Sequence, residues 1–180
     1  MQWYNEPPMW TTQGDTITVV TGPKTDFWRK THYGFIRDNG HFYFETVSGD
    51  FVAEVKVTGA YAALYDQAGL MLRVDETTWM KCGIEFVEEV QQASVVVTRD
   101  YSDWSVLPLV PAPPAFWIRV RRTGGAIEVQ YSPDGREYSL LRVAHLSEAQ
   151  PLQVGLMCAS PQGNGFPVSF ESFAIRTDNG

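Results

Sequence analysis

Short runs of alternating apolar and polar residues, separated by turn residues, extend along almost the whole chain. They recur about every 8 to 15 residues, and no segment shows sustained apolar spacing at three and four residues. Alternation with a period of two buries one face of a strand, whereas the helical spacing would bury one stripe of a helix. The pattern therefore predicts an all-β protein built from antiparallel sheets.

The alternating runs also give the positions of the strands. Strands are predicted at residues 16–21, 41–47, 51–58, 67–75, 79–87, 93–98, 116–123, 126–132, 137–143, 153–159 and 168–176. Residues 38–40, 48–50, 124–125 and 133–135 contain the Asn, Asp, Gly and Pro that tight turns favour. The proline-rich residues 107–115 are predicted to form a surface connection, since proline has no N–H to donate to a β-ladder. Residues 146–150 are predicted to form a helical turn.

A chain of 180 residues with 44% apolar and 19% charged residues is typical of one globular domain with one core. We therefore predict a single β-sandwich domain over residues 1–180. The formal charge of −7, without any run of Lys or Arg, argues against binding to nucleic acid. The sequence shows neither a secretion signal nor an apolar stretch of the roughly 20 residues that span a bilayer, which predicts a cytoplasmic protein without membrane contact.

The cysteines and histidines indicate structural roles. Cys82 and Cys158 each lie within an apolar strand pattern and are predicted to be reduced thiols in the core. His32 and His41 have no nucleophile at a recognisable spacing, and the chain lacks metal-ligand spacing of Cys, His or Asp. No metal and no cofactor are therefore expected.

One face of the predicted sheet combines charged and amide side chains with aromatic ones, unlike an ordinary solvated strand surface. Successive side chains of a strand point to opposite faces, so parity separates two sets. In residues 79–86, Cys82 and Ile84 share a dry face, while Trp79, Lys81 and Glu85 share the other. By the same sorting, the predicted mixed face carries Gln67, Arg73, Trp79, Lys81, Glu85 and Arg119.

Three segments predicted as loops add aromatic residues near this face. They are residues 26–29 with Trp28 and Arg29, residues 61–66 with Tyr65, and residues 101–105 with Tyr101, Asp103 and Trp104. Aromatic rings stack on sugar faces, and neighbouring carboxylates, amides and hydroxyls orient sugar hydroxyls, so this composition indicates a polyol-binding cleft. A structural cation–π pair is the alternative interpretation of Trp28 and Arg29.

Several motifs resemble those of a known family. The runs FWRKTHYG at residues 27–34, YDQAGLM at 65–71, KCGIE at 81–85 and SVVVT at 94–98, followed by YSDWS at 101–105, are similar to the signature of a domain family of unknown function that includes the fungal regulation-of-enolase protein. The resemblance covers nearly the whole chain in order. It implies a two-sheet antiparallel jelly-roll sandwich of the concanavalin A-like lectin/glucanase type, with the motif residues around the concave sheet.

Three functional hypotheses follow. The first is a binding module that holds a carbohydrate or a sugar-derived small molecule on the concave face. Its candidate ligand-binding residues are Trp28, Arg29, Tyr65, Gln67, Trp79, Lys81, Glu85, Thr98, Tyr101, Asp103, Trp104 and Arg119. The second is a glycan-active hydrolase that uses Glu85 with Asp66 or Asp103 as its carboxylate pair. The third, implied only by the name of the family, is a protein-interaction regulator of carbon metabolism.

The hydrolase hypothesis depends on a second carboxylate from outside the strand of Glu85. Glucanases of the resembled fold carry their carboxylates two and four residues apart on one strand, whereas the matching strand here offers Lys81, Gly83 and Glu85. Lys81 is expected to keep Glu85 ionised instead of poised as an acid. Binding is therefore favoured over hydrolysis.

Overall fold

In the computed structural model, which describes residues 1–177, the chain forms two seven-stranded antiparallel sheets and one two-stranded hairpin. The strands are β1 (Gln2–Tyr4), β2 (Met9–Gln13), β3 (Thr16–Val20), β4 (Phe27–Arg29), β5 (Ile36–Asp38), β6 (His41–Val47), β7 (Phe51–Gly59), β8 (Gln67–Arg73), β9 (Thr78–Val87), β10 (Val90–Arg99), β11 (Tyr101–Pro108), β12 (Phe116–Thr123), β13 (Ala126–Ser132), β14 (Ser139–His145), β15 (Leu152–Ala159) and β16 (Pro167–Thr177). The first sheet has the order β1-β6-β15-β8-β9-β10-β11, and the second has the order β14-β13-β12-β7-β16-β3-β2. This arrangement confirms the predicted all-β sandwich.

The main core lies between the two sheets and is built from the dry faces that the alternation predicts. Leu70 and Leu72 of β8 and Cys82 and Ile84 of β9 are at most 2% exposed within it. β12 of the second sheet alternates in the same way and contributes Ile118. The opposite face of the first sheet, here called the outer face, is therefore free to carry other side chains.

A hairpin covers the middle of this outer face. β4 and β5 pair only with each other, and Phe27 packs on Trp79 with ring centroids 6.1 Å apart. A second cluster of buried side chains thus forms outside the main core: Phe27, Trp28, Phe42, Phe44, Met71, Trp79, Val96 and Met157. The part of the outer face that stays accessible lies beside this hairpin.

The structure differs from the predicted elements at the edges of the sheets. The sequence did not indicate β1, β2, β4, β5 and β11, and residues 26–29 and 101–105, predicted as loops, lie mostly in β4 and β11. β11 is an edge strand that pairs only with β10, and an edge strand tolerates the polar residues and the proline that obscured its pattern.

The predicted helical turn at residues 146–150 is wrong. Leu146 is 2% exposed and donates its backbone N–H to the oxygen of Gly125 at 2.9 Å, which ties the segment to the turn between β12 and β13. Cys82 and Cys158 are free and buried, as predicted. Within residues 1–177 no helix is long and apolar enough to cross a membrane.

Candidate functional site

A pocket opens on the outer face of the first sheet, beside the β4–β5 hairpin. It has a volume of about 70 Å³. Polar side chains, several of them from the strands, line it together with aromatic side chains from the hairpin, the loop before β8 and β11. The lining residues are Asp26, Trp28, Tyr33, Phe35, Tyr65, Gln67, Lys81, Glu85, Trp104, Pro161 and Gln162. We call this space the aromatic pocket.

Lys81 and Gln67 form a hydrogen-bonded floor. Lys81 Nζ donates to Gln67 Oε1 at 2.6 Å, to the backbone oxygen of Phe27 at 2.7 Å and to Asp26 Oδ1 at 3.3 Å. These three acceptors match the three protons of an ammonium group. Gln67 Nε2 donates in turn to the backbone oxygen of Tyr65 at 3.0 Å. The floor is thus a preorganised polar network that also fastens the start of the hairpin to the sheet.

Glu85 is the other ionisable group of the floor, and it is only 7% exposed. Ser94 Oγ and Trp104 Nε1 both donate to its Oε2, at 2.7 and 2.8 Å. Burial raises the pKa of Glu85, and the opposing effects of Lys81 and of the two hydrogen bonds do not reverse that direction. Lys81 acts to lower the pKa of Glu85, as the sequence predicts, but burial has the larger effect and the net shift is upward. The ammonium group of Lys81 itself pairs with Asp26.

Five aromatic side chains, connected by ring contacts, form the walls. Ring centroids are 5.6 Å apart for Trp28 and Tyr33, 5.5 Å for Tyr33 and Phe35, and 6.2 Å for Tyr65 and Trp104. The hydroxyl oxygens of Tyr33 and Tyr65 lie 3.0 Å apart and join the two groups of rings. This hydrogen bond, together with burial, raises the pKa of Tyr65 to about 12, so that its phenol is neutral at physiological pH.

A wider basin of about 500 Å³ adjoins the aromatic pocket and shares three of its aromatic walls. The basin is lined by Trp28, Thr31, His32, Tyr33, Ser102, Asp103 and Trp104. Thr31 Oγ1 is buried and has no hydrogen-bond partner among residues 1–177. An unpaired buried hydroxyl is costly, so Thr31 is an unsatisfied polar group beside the basin.

Six of the predicted ligand-binding residues meet in the aromatic pocket: Trp28, Tyr65, Gln67, Lys81, Glu85 and Trp104. The register explains how the strands bring them together. Gln67 pairs with Glu85 across β8 and β9, and Lys81 is aligned with Val96 and then Trp104 across β9, β10 and β11. Aligned residues of neighbouring strands share a face, so parity was sufficient to group Gln67, Lys81 and Glu85.

Trp79 and Thr98 lie on the same face but are inaccessible. Trp79 is 1% exposed beneath Phe27, and Thr98 is fully buried, with its hydroxyl 2.8 Å from Ser102 Oγ. The prediction that these two residues contact a ligand is therefore wrong. The covering hairpin is a long-range feature, which the alternation within a strand does not reveal.

Arg119 belongs to the second sheet. β12 alternates as predicted, but it pairs with β7 and β13, and Arg119 Nε donates to Glu54 Oε2 at 2.5 Å. The guanidinium of Arg119 also lies 3.6 Å from the ring centroid of Tyr138. The prediction that Arg119 joins the ligand-binding face is wrong, because parity assigns a face within a sheet without assigning the sheet.

The predicted carboxylate partners of Glu85 lie elsewhere. Asp66 is 1% exposed and accepts the Ser160 hydroxyl and the backbone N–H groups of Ala62 and Ala63, so it shapes the loop before β8. Such a fully engaged carboxylate has a structural role and does not pair with Glu85 in the pocket.

Asp103 borders the basin but not the aromatic pocket. It is aligned with Val97, whose side chain lies in the main core, so it alternates with Trp104 and faces away from Glu85. The second carboxylate of the aromatic pocket is Asp26, which neither predicted pair includes. Among residues 1–177 no group of three or more His, Cys, Asp or Glu side chains is placed to hold a metal ion.

Arg29 and Tyr101 fasten the base of the hairpin. Arg29 is 8% exposed and donates to the backbone oxygen and to Oδ1 of Asp100, at 3.2 and 2.8 Å. Lys30 Nζ binds Oδ2 of the same aspartate and lies 5.0 Å from the ring centroid of Tyr101. Neither Arg29 nor Tyr101 lines the aromatic pocket, and Arg29 binds Asp100 instead of the Trp28 ring.

Five lining residues were missed: Asp26, Tyr33, Phe35, Pro161 and Gln162. Tyr33 lies within the FWRKTHYG motif, so the family resemblance offered a signal for it. Pro161 and Gln162 lie in the loop after β15, whose sequence carries no comparable signal. They reach the pocket only through the folding of the chain.

Comparison with known proteins assigns the chain to a family. Residues 3–178 match the family described as a protein of unknown function, DUF1349. The chain belongs to this family. It is also 37% identical over 178 residues to Regulation of enolase protein 1 of Saccharomyces cerevisiae, an alignment that covers 99% of this chain and 90% of that protein. The resemblance stated from the motifs is thereby confirmed.

Solved structures confirm the fold of this DUF1349 chain. A functionally unknown protein from Saccharomyces cerevisiae superposes with a TM-score of 0.95 at 37% identity, over 99% of this chain and 97% of that chain. A legume lectin-like domain from Entamoeba histolytica gives 0.67 at 7% identity, over 97% and 89%. A GH43 protein from Bacillus licheniformis gives 0.74 at 16% identity, over 96% of this chain but 35% of that chain. At such low identity the last two show the fold alone.

Proposed function

We propose that this DUF1349 chain binds a carbohydrate or a sugar-derived small molecule in the aromatic pocket and its adjoining basin. The observation that carries the proposal is the pairing of five aromatic walls with a polar floor of Gln67, Lys81 and Glu85. Aromatic rings offer apolar area to the face of a sugar ring, and the polar groups orient its hydroxyls.

The sizes of the two spaces fit a ligand that occupies both. Small-molecule sites usually have volumes of about 300–1,000 Å³. The aromatic pocket of about 70 Å³ is smaller than this range, whereas the basin of about 500 Å³ lies within it. One substituent of the ligand therefore enters the pocket, while the ring lies against the shared walls Trp28, Tyr33 and Trp104.

The contacts of Asp26 favour binding over hydrolysis. Glycoside hydrolysis uses one carboxylate as an acid and a second as a nucleophile or base. Asp26 Oδ1 accepts the backbone N–H of Phe27 at 2.8 Å and the ammonium group of Lys81 at 3.3 Å, so this oxygen already holds the hairpin. Of the two carboxylates that line the aromatic pocket, Glu85 is thus the one whose surroundings suit contact with a ligand.

Binding is tested by calorimetry of the purified chain against mono- and oligosaccharides and sugar phosphates. Trp104→Ala removes a wall of both spaces and should weaken binding at least about tenfold, as expected for a buried aromatic contact. Trp117→Ala, on the second sheet, is the matched control and should leave affinity unchanged. Absence of binding across the whole panel would overturn the proposal.

Regulation of enolase is the second candidate function, and it rests on the near full-length identity to the yeast protein of that name. It predicts a physical contact between the purified chain and enolase, together with a change in enolase turnover. Steady-state assays of enolase with and without an excess of the chain test it. Unchanged turnover and no complex in size-exclusion chromatography would exclude this candidate.

A further inference from the structure

Glu85 is a buried carboxylate without an ion pair. The salt bridges within residues 1–177 do not include it, and the ammonium group of Lys81 is engaged by Asp26, Gln67 and the backbone of Phe27. The charges of Lys81 and Asp26 offset each other, so the remaining formal charge of the floor is that of Glu85. A buried charge without a partner is costly, which favours a ligand that supplies the opposite charge.

The hydrogen bonds of Glu85 leave one oxygen available. Ser94 and Trp104 both donate to Oε2, and among residues 1–177 no hydrogen bond reaches Oε1. The carboxylate is therefore fixed by one oxygen. The other is able to accept from a donor that enters the aromatic pocket.

The walls suit a cation. Five aromatic side chains line a space of only about 70 Å³. Ring quadrupoles attract cations that lie within about 6 Å, and aromatic enclosures are the usual sites for alkylammonium groups. This volume lies below the usual range of about 300–1,000 Å³ for small-molecule sites, so the space suits a compact group better than a complete sugar ring. The formal charge of −7 on the chain further favours a cation.

We propose that the aromatic pocket receives a compact ammonium group, primary or methylated, of a ligand whose polar remainder lies in the basin. Glu85 Oε1 is its counter-ion, and Trp28, Tyr33, Phe35, Tyr65 and Trp104 enclose it. The ligand class is therefore an amino sugar or another amine that carries polar groups. The inference rests on the proposed function, because it assumes that the aromatic pocket is the ligand-binding site.

The first test measures, by calorimetry near neutral pH, how tightly the unmodified chain binds two matched pairs of probes. One pair is choline and neohexyl alcohol, in which a carbon atom replaces the nitrogen of choline; the other is glucosamine and glucose. Each cation should bind at least about tenfold more tightly than its neutral counterpart. Equal affinities within both pairs would overturn the inference whatever the behaviour of any variant.

The second test removes the charge of Glu85. Glu85→Gln keeps an oxygen for Ser94 and Trp104 and should lower the affinity for choline and glucosamine at least about tenfold, with little effect on neutral probes. Glu137→Gln removes the same charge at an exposed site in the loop between β13 and β14 and should change neither. Unchanged cation affinity in Glu85→Gln would overturn the role of Glu85.

The outcomes separate this inference from the proposed function. Binding of neutral sugars without any preference for cations would overturn the ammonium inference and support the carbohydrate proposal. Choline binding that depends on Glu85, without binding of any sugar or amino sugar, would support the inference and overturn the carbohydrate proposal. Failure of every probe to bind would overturn both.

Discussion

At the scale of single residues, Glu85 combines burial with hydrogen bonds that a neutral side chain can also accept. Ser94 and Trp104 both donate to its Oε2. A glutamine oxygen accepts the same two bonds, while its amide carries no charge to be desolvated. The cost of Glu85 is therefore the burial of its charge, and this cost depends on pH.

Glu85→Gln should make the chain more stable near neutral pH. The pKa of Glu85 is raised in the folded chain, mainly by burial, so the wild type loses stability as the pH rises from the unfolded pKa of about 4.3 through the folded pKa. The neutral variant does not pay this penalty. We expect a higher Tm for the variant near neutral pH, by about 2–4 °C for each 1 kcal/mol regained, and a gap that closes at about pH 4.

Differential scanning calorimetry across this pH range provides the measurement. Glu137→Gln is the control, since it removes an exposed charge and should follow the wild type at every pH. A variant that is less stable than the wild type near neutral pH, or a gap that does not change with pH, would contradict the explanation by desolvation.

At the scale of elements, two glycines bring β8 and β9 close together beneath the pocket. Gly69 and Gly83 are aligned, and a Cβ on either one would lie 2.0 or 2.1 Å from a backbone oxygen of the neighbouring strand. Gly83 also separates Lys81 from Glu85 on the outer face. The absence of a side chain there leaves the floor of the pocket open between the two charged groups.

Gly83→Ala should destabilise the sheet, because backbone atoms cannot move aside as the end of a flexible side chain can. Overpacking of this kind costs about 1–3 kcal/mol, and each 1 kcal/mol lowers Tm by about 2–4 °C in a chain of this size. Thermal unfolding followed by circular dichroism measures the change. Gly14→Asn is the control, since nothing lies within 4 Å of a Cβ there and asparagine tolerates its φ of +61°. A Tm for Gly83→Ala within about one degree of the wild type would refute the close approach.

Strand parity predicted which side chains share a face of a strand better than it predicted which segments pack over that face. It placed Gln67, Lys81 and Glu85 on one face, since the strand period alone fixes that relation. It could not show that Phe27 covers Trp79, because that contact joins residues that are 52 positions apart in the sequence (79 − 27). For the same reason it placed Arg119 on the wrong sheet.

At the scale of the whole molecule, His41 links parts of the chain that belong to both sheets. Its Nδ1 lies 2.7 Å from the backbone oxygen of Asn5, just after β1 in the first sheet. Its Nε2 accepts the backbone N–H of Gly22, just after β3 in the second sheet, at 2.8 Å. Since Nε2 must be unprotonated to accept, the folded chain requires neutral His41.

Acid should therefore weaken the whole fold through this single side chain. Burial lowers the pKa of His41, and the hydrogen bond to Asn5 only partly opposes this. Between the folded pKa and the unfolded value of about 6.5, the unfolded chain binds more protons, so stability is complete above about pH 6.5 and falls as the pH decreases through this window. The loss is about 1.4 kcal/mol for each pH unit that separates the two pKa values.

The measurement is the change in Tm between about pH 7.5 and about pH 5, where histidine titrates. Carboxylates contribute to the same change, so the comparison is between variants. His41→Gln does not titrate and should show a smaller drop than the wild type, even though its Tm at the higher pH is also lower. His32→Gln, at an exposed site, should keep the drop of the wild type. An equal drop in His41→Gln and the wild type would mean that the link between the two sheets does not depend on the protonation of His41.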